Sequence, residues 1–406
     1  MTAHSRFSPS AAHRWMVCPG SLVLAAELPD VQSRYGAEGT VAHTLASLVL
    51  SSGPGLDDAK RYIGTEHTQD GFDFVVDDEM AQHVNDYCKL VAEYAEGGTL
   101  LVEQRVRISE DPECSGTADV VILHPRRLTV IDLKYGRGVE VDAEDNQQLY
   151  LYAVGAVQEY AITDPWTEFE TVTVVIHQPR INRVAEHHLR IGELREFALA
   201  ADIAMGVVAA AAKSVGTKEF SDFLTPGEKQ CRWCRAKATC PALAAEVNLA
   251  VMRVASAADL AGLDEAPEAD LSESMSRVEL IEQWCRAVRA SVERRLITGK
   301  PVRGYKLVEG RKGNRAWLDV AVVEAQLKSW RIKAEQMYEK TLIGPTDAEK
   351  LLKKSAPTKW SALQAFIRRS DGKPSVAPAA DKRPEWDASK RTEALRDLTA
   401  ESEMEN

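Results

Sequence analysis

Gly116-Thr117-Ala118-Asp119-Val120-Val121-Ile122-Leu123-His124-Pro125-Arg126-Arg127-Leu128-Thr129-Val130-Ile131-Asp132-Leu133-Lys134 holds two apolar, β-branched runs around a short polar break. Such runs predict strands, Ala118 to Leu123 and Leu128 to Leu133, and the His124-Pro125-Arg126-Arg127 turn makes them a hairpin. Working outward, Leu100-Leu101-Val102, Val106 and Ile108 predict a strand before it. Downstream, Gly136 and Gly138 break the chain ahead of a helix over Gln147 to Tyr160, whose Leu149, Tyr152, Ala153 and Val157 form an apolar stripe. Thr171 to Ile176 reads as a strand buried on both faces, and Glu193 to Lys213 as an alanine-rich helix. Upstream, Val41, Ala42, Leu45, Leu48 and Val49 recur at helical spacing after a Gly36-Ala37-Glu38-Gly39-Thr40 entry with turn and cap chemistry, so His43 is expected on a short helix. The order helix, three strands, helix, strand, helix predicts an α/β core with a mixed central sheet flanked by helices.

After Cys240-Pro241 the pattern turns mainly helical: Ala242 to Ala255, Leu271 to Thr298, Leu318 to Ser329 and Thr346 to Lys354, with an extended piece at Gly304 to Glu309. From Asp371 onward Pro374, Pro378 and Pro384 sit among charges, as in a poorly ordered tail. Residues 1–245, 246–370 and 371–406 are thus expected as core domain, accessory region and tail. The 406 residues, 45% hydrophobic and 27% charged, suit a globular protein of two or three domains. A formal charge of −11 excludes a uniformly basic nucleic-acid coat and leaves room for a local basic groove. No run approaches the roughly 18 apolar residues of a membrane span, and the polar start Met1-Thr2-Ala3-His4-Ser5-Arg6 is unlike a secretory signal. A cytoplasmic protein without a membrane partner is expected, and an odd seven cysteines there argue against a disulfide framework.

The chemistry concentrates in Gly116-Thr117-Ala118-Asp119 and Asp132-Leu133-Lys134. Side chains alternate along a strand, so Asp132 and Lys134 share a face while Leu133 points into the core. Asp119 can sit across the hairpin near Asp132, and converging carboxylates repel unless a divalent cation such as Mg²⁺ or Mn²⁺ joins them. Such an ion polarises a phosphodiester, and Lys134 can position the nucleophile or stabilise transition-state charge. His43 can add a neutral nitrogen ligand, with Glu38 a little over one turn before it. Gln148 and Tyr152, four apart, share one helix face where an amide and a phenol can reach a phosphate or the nucleophilic water.

In order and spacing, Gly39-x-x-x-His43, Gly116-x-x-Asp119, Asp132-x-Lys134 and Gln148-x-x-x-Tyr152 resemble the RecB-like branch of the PD-(D/E)XK nuclease superfamily over residues 1–245. The resemblance implies a restriction-endonuclease-like fold. It also implies a metal held by His43, Asp119, Asp132 and the backbone carbonyl of Leu133, with Lys134 as catalytic lysine and Gln148 and Tyr152 as the motif after it. The usual proline before the first aspartate is replaced by Ala118.

Cys231-x-x-Cys234-x5-Cys240 is a tight thiol triplet, and Cys18 offers a fourth thiol far upstream. Four thiolates can hold zinc or a [4Fe-4S] cluster; structural zinc usually takes two close pairs, so one distant cysteine plus a triplet suits zinc less well. This arrangement resembles the iron-sulfur nucleases of the AddB type and of CRISPR adaptation, in which the cluster clasps the two ends of the domain. Around it Arg232, Arg235 and Lys237, with the ring of Trp233, are candidates for contact with single-stranded DNA. Arg126 and Arg137 are candidates for flanking phosphates. Together these readings predict a metal-dependent deoxyribonuclease, an exonuclease by resemblance. The resemblance points to DNA recombination, repair or end processing, to a phage or prophage type, and to a helicase or annealing protein as partner. The alternatives are a non-cutting DNA-binding or scaffold subunit, and the same nuclease stapled by zinc.

Overall fold

The computed structural model describes residues 5–28, 33–52, 58–137, 139–258, 268–306, 324–325, 328–329, 345–353 and 356–364. The chain divides into Met1–Glu309 and Gly310–Asn406.

The first unit opens with the short helices α1 (Ala12–Trp15) and α2 (Gly20–Ala25) and is built on strands β1 (Glu66–Gln69), β2 (Phe72–Val75), β3 (Thr99–Arg107), β4 (Ser115–His124), β5 (Arg127–Leu133), β6 (Thr171–Gln178) and β7 (Arg183–Arg190), with a short helix α6 (Pro165–Glu168) just before β6. Strands β1 and β2 pair as a separate small hairpin, and the main sheet runs β3-β4-β5-β6-β7. All its neighbours are antiparallel except β5 and β6. A parallel pair needs a crossover, and the long segment between them contains α5 (Gln147–Tyr160). The expected mixed sheet and hairpin are therefore present.

Val106, Ala118, Val121, Leu128, Val130, Val172, Val174 and Ile176 form a buried cluster with α5 and with α7 (Ile191–Lys213). Val120, Ile122, Ile131, Leu133 and Val175 form another with α3 (Arg34–Ser51) and α4 (Asp78–Tyr94). Because both faces are covered, β5 and β6 are buried nearly throughout.

Strands β1, β2 and β7 go beyond the four expected strands, and two helices also depart from expectation. Helix α3 starts at Arg34, capped by the Ser33 hydroxyl accepting the Gly36 N–H, so Gly36 to Thr40 lie inside it. Serine with an extended backbone fills the cap, and the glycines behind it are carried by the buried face of Ala37, Val41, Ala42 and Leu45. Helix α4 goes beyond the expected elements, although Asp77 caps it and Met80, Ala81, Val84, Tyr87 and Val91 recur at helical spacing along its buried side.

Beyond the sheet come α8 (Glu228–Arg232), α9 (Pro241–Ala258) and α10 (Glu268–Ile297). Leu280, Ile281 and Trp284 of α10 pack with Cys18, Cys231 and Cys240. This packing explains why the first unit extends to Glu309, whereas the change of pattern at Cys240-Pro241 suggested a boundary near 245. In the second unit α11 (Pro345–Leu352) and α12 (Pro357–Gln364) are helical, with Ala348 and Trp360 buried. The expected helix at 318–329 falls largely, and the tail at 371–406 wholly, outside the described residues.

Candidate metal site and cysteine cluster

The register of the sheet assembles the site. The β4-β5 ladder ends at the pair Val120 with Ile131, so Asp119 and Asp132 stand opposite each other one step beyond it. Across β3 and β4, Val102 pairs with Val120 and Gln104 with Ala118, which leaves Glu103 opposite Asp119. Three carboxylates thus lie in one row across three strands. Asp132 stays in the β5-β6 ladder opposite Ile176, whereas Asp119 and Glu103 leave the regular ladder, each in its own way. The Leu133 N–H donates to Asp119 Oδ2 at 2.8 Å, a side-chain oxygen replacing a backbone carbonyl. Glu103 takes a left-handed φ of 52°, a region that non-glycine residues in strands normally avoid.

His43 reaches this row from α3, its Nδ1 3.2 Å from Asp119 Oδ1. Among the described residues, His43, Glu103 and Asp119 form the group whose ligand atoms all lie within 4.8 Å of one another. Burial pushes the Asp119 carboxyl up, but the charge and hydrogen bond of His43 and the Leu133 N–H outweigh it and leave it below its ordinary value. Burial pulls His43 down, and the Asp119 charge and hydrogen bond overcome this, raising the imidazole to about 9.

Asp132 belongs to a second, adjoining triangle. Lys134 Nζ lies 2.8 Å from Asp132 Oδ2 and donates to Gln148 Oε1 at 2.9 Å. Gln148 Nε2 donates to Asp132 Oδ1 at 3.0 Å, closing the ring. Asp132 is 2% exposed, and its burial, opposed by the Lys134 charge and reinforced by that of Asp119, raises its carboxyl. The Lys134 N–H continues the β5-β6 ladder to the His177 carbonyl at 2.9 Å, which aims its side chain along the Asp132 face as expected. Tyr152, one turn along α5 from Gln148, is buried beside the site. A Cβ at Gly116 would come within 2.8 Å of both Tyr152 Cε1 and Pro9 Cγ, so glycine is needed for this close approach.

The structure therefore brings His43, Asp119, Asp132, Lys134, Gln148 and Tyr152 together, with a different division of labour. Asp132 is engaged by Lys134 and Gln148, while Glu103 takes the third place beside His43 and Asp119. For Leu133 the observed contact is through its N–H. Glu103 lay in an unremarkable strand segment, and its signal was the register that sets it across from Asp119. Glu38 pairs with Arg180 at 2.9 Å, and Arg180 also stacks over Tyr135, 4.7 Å from the ring centroid.

Cys18, Cys231 and Cys240 share a buried cluster with Phe220, Leu224 and Leu243, and Cys234 is buried beside Ala25 and Ala236. Gly20 allows the approach, since a Cβ there would stand 2.7 Å from Leu224 Cδ2. The Thr225 N–H donates to Cys18 Sγ at 3.3 Å and the Gly227 N–H to Cys231 Sγ at 3.4 Å. Burial raises the Cys18 thiol, with Cys234 and Cys240 adding to the shift, and burial pushes Cys231 up to about 11. No three of these sulfurs lie within 4.8 Å of one another among the described residues.

Of the basic candidates, Arg126 is held by Glu170 at 2.5 Å and Arg137 by Glu79, so neither is a free cation. Lys237 Nζ donates to the Arg232 carbonyl at 2.6 Å. Trp233 is 68% exposed, and Arg235 Nη1 donates to the Leu28 carbonyl at 2.8 Å.

Fold and site together define an α/β protein whose sheet carries an acidic, histidine-containing cluster beside a lysine. A model of the family described as "Protein of unknown function (DUF2800)" matches residues 4–384, and the chain belongs to this family. Among solved structures it is similar to one titled "Crystal structure of SSO0001", with 13% identity and a TM-score of 0.23 over 57% of this chain and 84% of that one. Among the described residues, no helix is long and apolar enough to cross a membrane.

Proposed function

We propose that this chain is a divalent-metal-dependent deoxyribonuclease, an exonuclease acting in DNA recombination, repair or end processing. The observation that carries the reading is the convergence of His43, Glu103 and Asp119 within 4.8 Å, next to the Lys134-Asp132-Gln148 triangle. One imidazole nitrogen with carboxylate oxygens suits Mg²⁺ or Mn²⁺, so the donor set fits the ion. A bound ion there supplies Lewis-acid polarisation of the phosphodiester and acidification of a water.

The chain's own residues supply the rest. Asp132 and Gln148 fix the Lys134 ammonium, so its positive charge stands ready for a phosphate oxygen or for the nucleophile. The amide of Gln148, buttressed by Tyr152, keeps that ammonium from swinging away. Asp119 is the hinge between the two groups, since it contacts His43 on one side and the Leu133 N–H on the other.

The four cysteines hold a [4Fe-4S] cluster in this proposal. One distant cysteine with a close triplet suits a cluster better than the two close pairs usual for structural zinc. The N–H groups aimed at Cys18 and Cys231 suit cluster sulfurs. Such a cluster staples the N-terminal segment to the end of the core rather than reacting. A helicase or annealing protein is the proposed partner, in a bacterial cytoplasm.

The test is cleavage of labelled single- and double-stranded DNA with Mn²⁺ or Mg²⁺ by wild type, Lys134→Ala and Asp119→Ala. Metal-dependent cutting lost in both variants is expected. Undiminished cutting in both overturns the assignment, and tight DNA binding without any cutting by wild type indicates a scaffold subunit. Anaerobically purified protein should be brown and contain iron and sulfide; stoichiometric zinc instead replaces the cluster with the zinc staple.

A further inference from the structure

We infer that a cleft of about 660 Å³ between the N-terminal segment and the cysteine loop is a second anion site, taking a nucleotide phosphate on Arg14 with the base against Trp233. Arg6, His13, Arg14, Glu113, Trp233 and Arg235 line it. Its lining holds three arginines and one carboxylate in a chain whose formal charge is −11. That carboxylate, Glu113, is already engaged by Arg6 at 3.6 Å.

Arg14 decides the chemistry. It is 8% exposed, and among the described residues no carboxylate pairs with it. Its Nε is buried without a hydrogen-bond partner, and its Nη1 reaches the Trp233 carbonyl at 3.4 Å. A guanidinium cannot shed its proton, so a buried one facing a cleft with a donor unpaired favours an anion there, and its planar fork of donors matches a phosphate. His13 presents a second unpartnered donor or acceptor, its buried Nε2. The Trp233 backbone is tied to Arg14 while its indole is exposed, which sets a flat stacking face beside the charge. An inorganic anion has no use for that face, whereas a nucleotide uses both.

The cleft is also connected to the acidic site. Pro9 crowds Gly116 together with Tyr152, so the segment that lines the cleft with Ser8 and Ser10 also walls the site around Gln148. The proposal stands apart from cleavage and draws on the nuclease reading for one clause alone, that the phosphate belongs to a DNA strand rather than a free nucleotide.

The experiment measures binding of fluorescein-labelled oligothymidylate to the full-length, anaerobically purified protein in EDTA, where metal-dependent cutting is silent. Competitors are dTMP, inorganic phosphate and the same oligonucleotide with abasic sites. Trp233→Ala, an exposed substitution that leaves the core intact, should weaken binding about tenfold to a hundredfold. Arg14→Gln should weaken it about tenfold and lower the slope of log affinity against log salt by about 0.7, the value for one single-strand phosphate contact. Competition by dTMP at its own comparable affinity supports the site with a free nucleotide as its source; competition by the oligonucleotide alone supports it with a strand. Binding by Trp233→Ala equal to wild type, or equal binding of abasic and intact strands, overturns the proposal. Because EDTA silences the acidic site, failure here leaves the nuclease reading standing, and loss of that reading through the Lys134→Ala assay leaves this one standing.

Discussion

Lys134 and Asp132 depend on each other, because a carboxylate 2% exposed needs a cation and Lys134 is the one at 2.8 Å. Lys134→Ala should therefore cost about 1–3 kcal/mol in urea denaturation as well as abolishing cutting. A stability loss without a loss of cutting would remove Lys134 from the catalytic role. Glu103 makes a two-sided prediction. Its φ of 52° is strained for glutamate, so Glu103→Gly should raise stability by up to about 1 kcal/mol while weakening Mn²⁺ binding about tenfold or more by calorimetry. Unchanged Mn²⁺ affinity would exclude Glu103 from the ligand set. Asp119, Asp132, Lys134, Gln148 and His43 were legible as residues because spacing and strand alternation expose them. Glu103 was not, since nothing local distinguishes a glutamate within a strand until a neighbouring strand sets it opposite Asp119.

Helix α5 meets the sheet through small residues. A Cβ at Gly155 would come within 2.8 Å of Val106 Cγ2, and one at Gly116 meets Tyr152 and Pro9 at the same distance. Gly116→Ala should cost about 1–3 kcal/mol by overpacking and shift Tyr152 away from Gln148, so that cutting falls together with the melting temperature. Full stability in this variant would show that the N-terminal segment yields freely. Among the strands, β6 was legible because a continuous β-branched run can only be buried on both faces. The start of α3 is not legible locally, because its glycines resemble an entry, whereas the cap is Ser33 and tertiary burial carries the glycines along.

At the scale of the molecule, the cysteine set joins Cys18 to a triplet more than two hundred residues away, with α10 covering it. Destroying the cluster with ferricyanide, with EDTA present only to take up the released iron, should lower the melting temperature and expose Trp284, read as a change in tryptophan fluorescence, and Cys18→Ser should reproduce both. Protein indifferent to the oxidant would deny the staple. Cys88 and Cys114, raised to about 12 by burial, should in contrast resist alkylation at pH 8 in the folded chain and label readily in urea.

The amino-acid order by itself determined the hairpin, the mixed sheet, the strand-to-helix alternation and the residues able to do chemistry, because period, branching and turn residues act within a few positions. Only the tertiary structure decided which carboxylate stands with His43, that Asp132 is taken by Lys134 and Gln148, and that Arg14 is buried with no carboxylate partner among the described residues. Those outcomes depend on register between strands and on contacts between segments remote in sequence, and no local pattern encodes them.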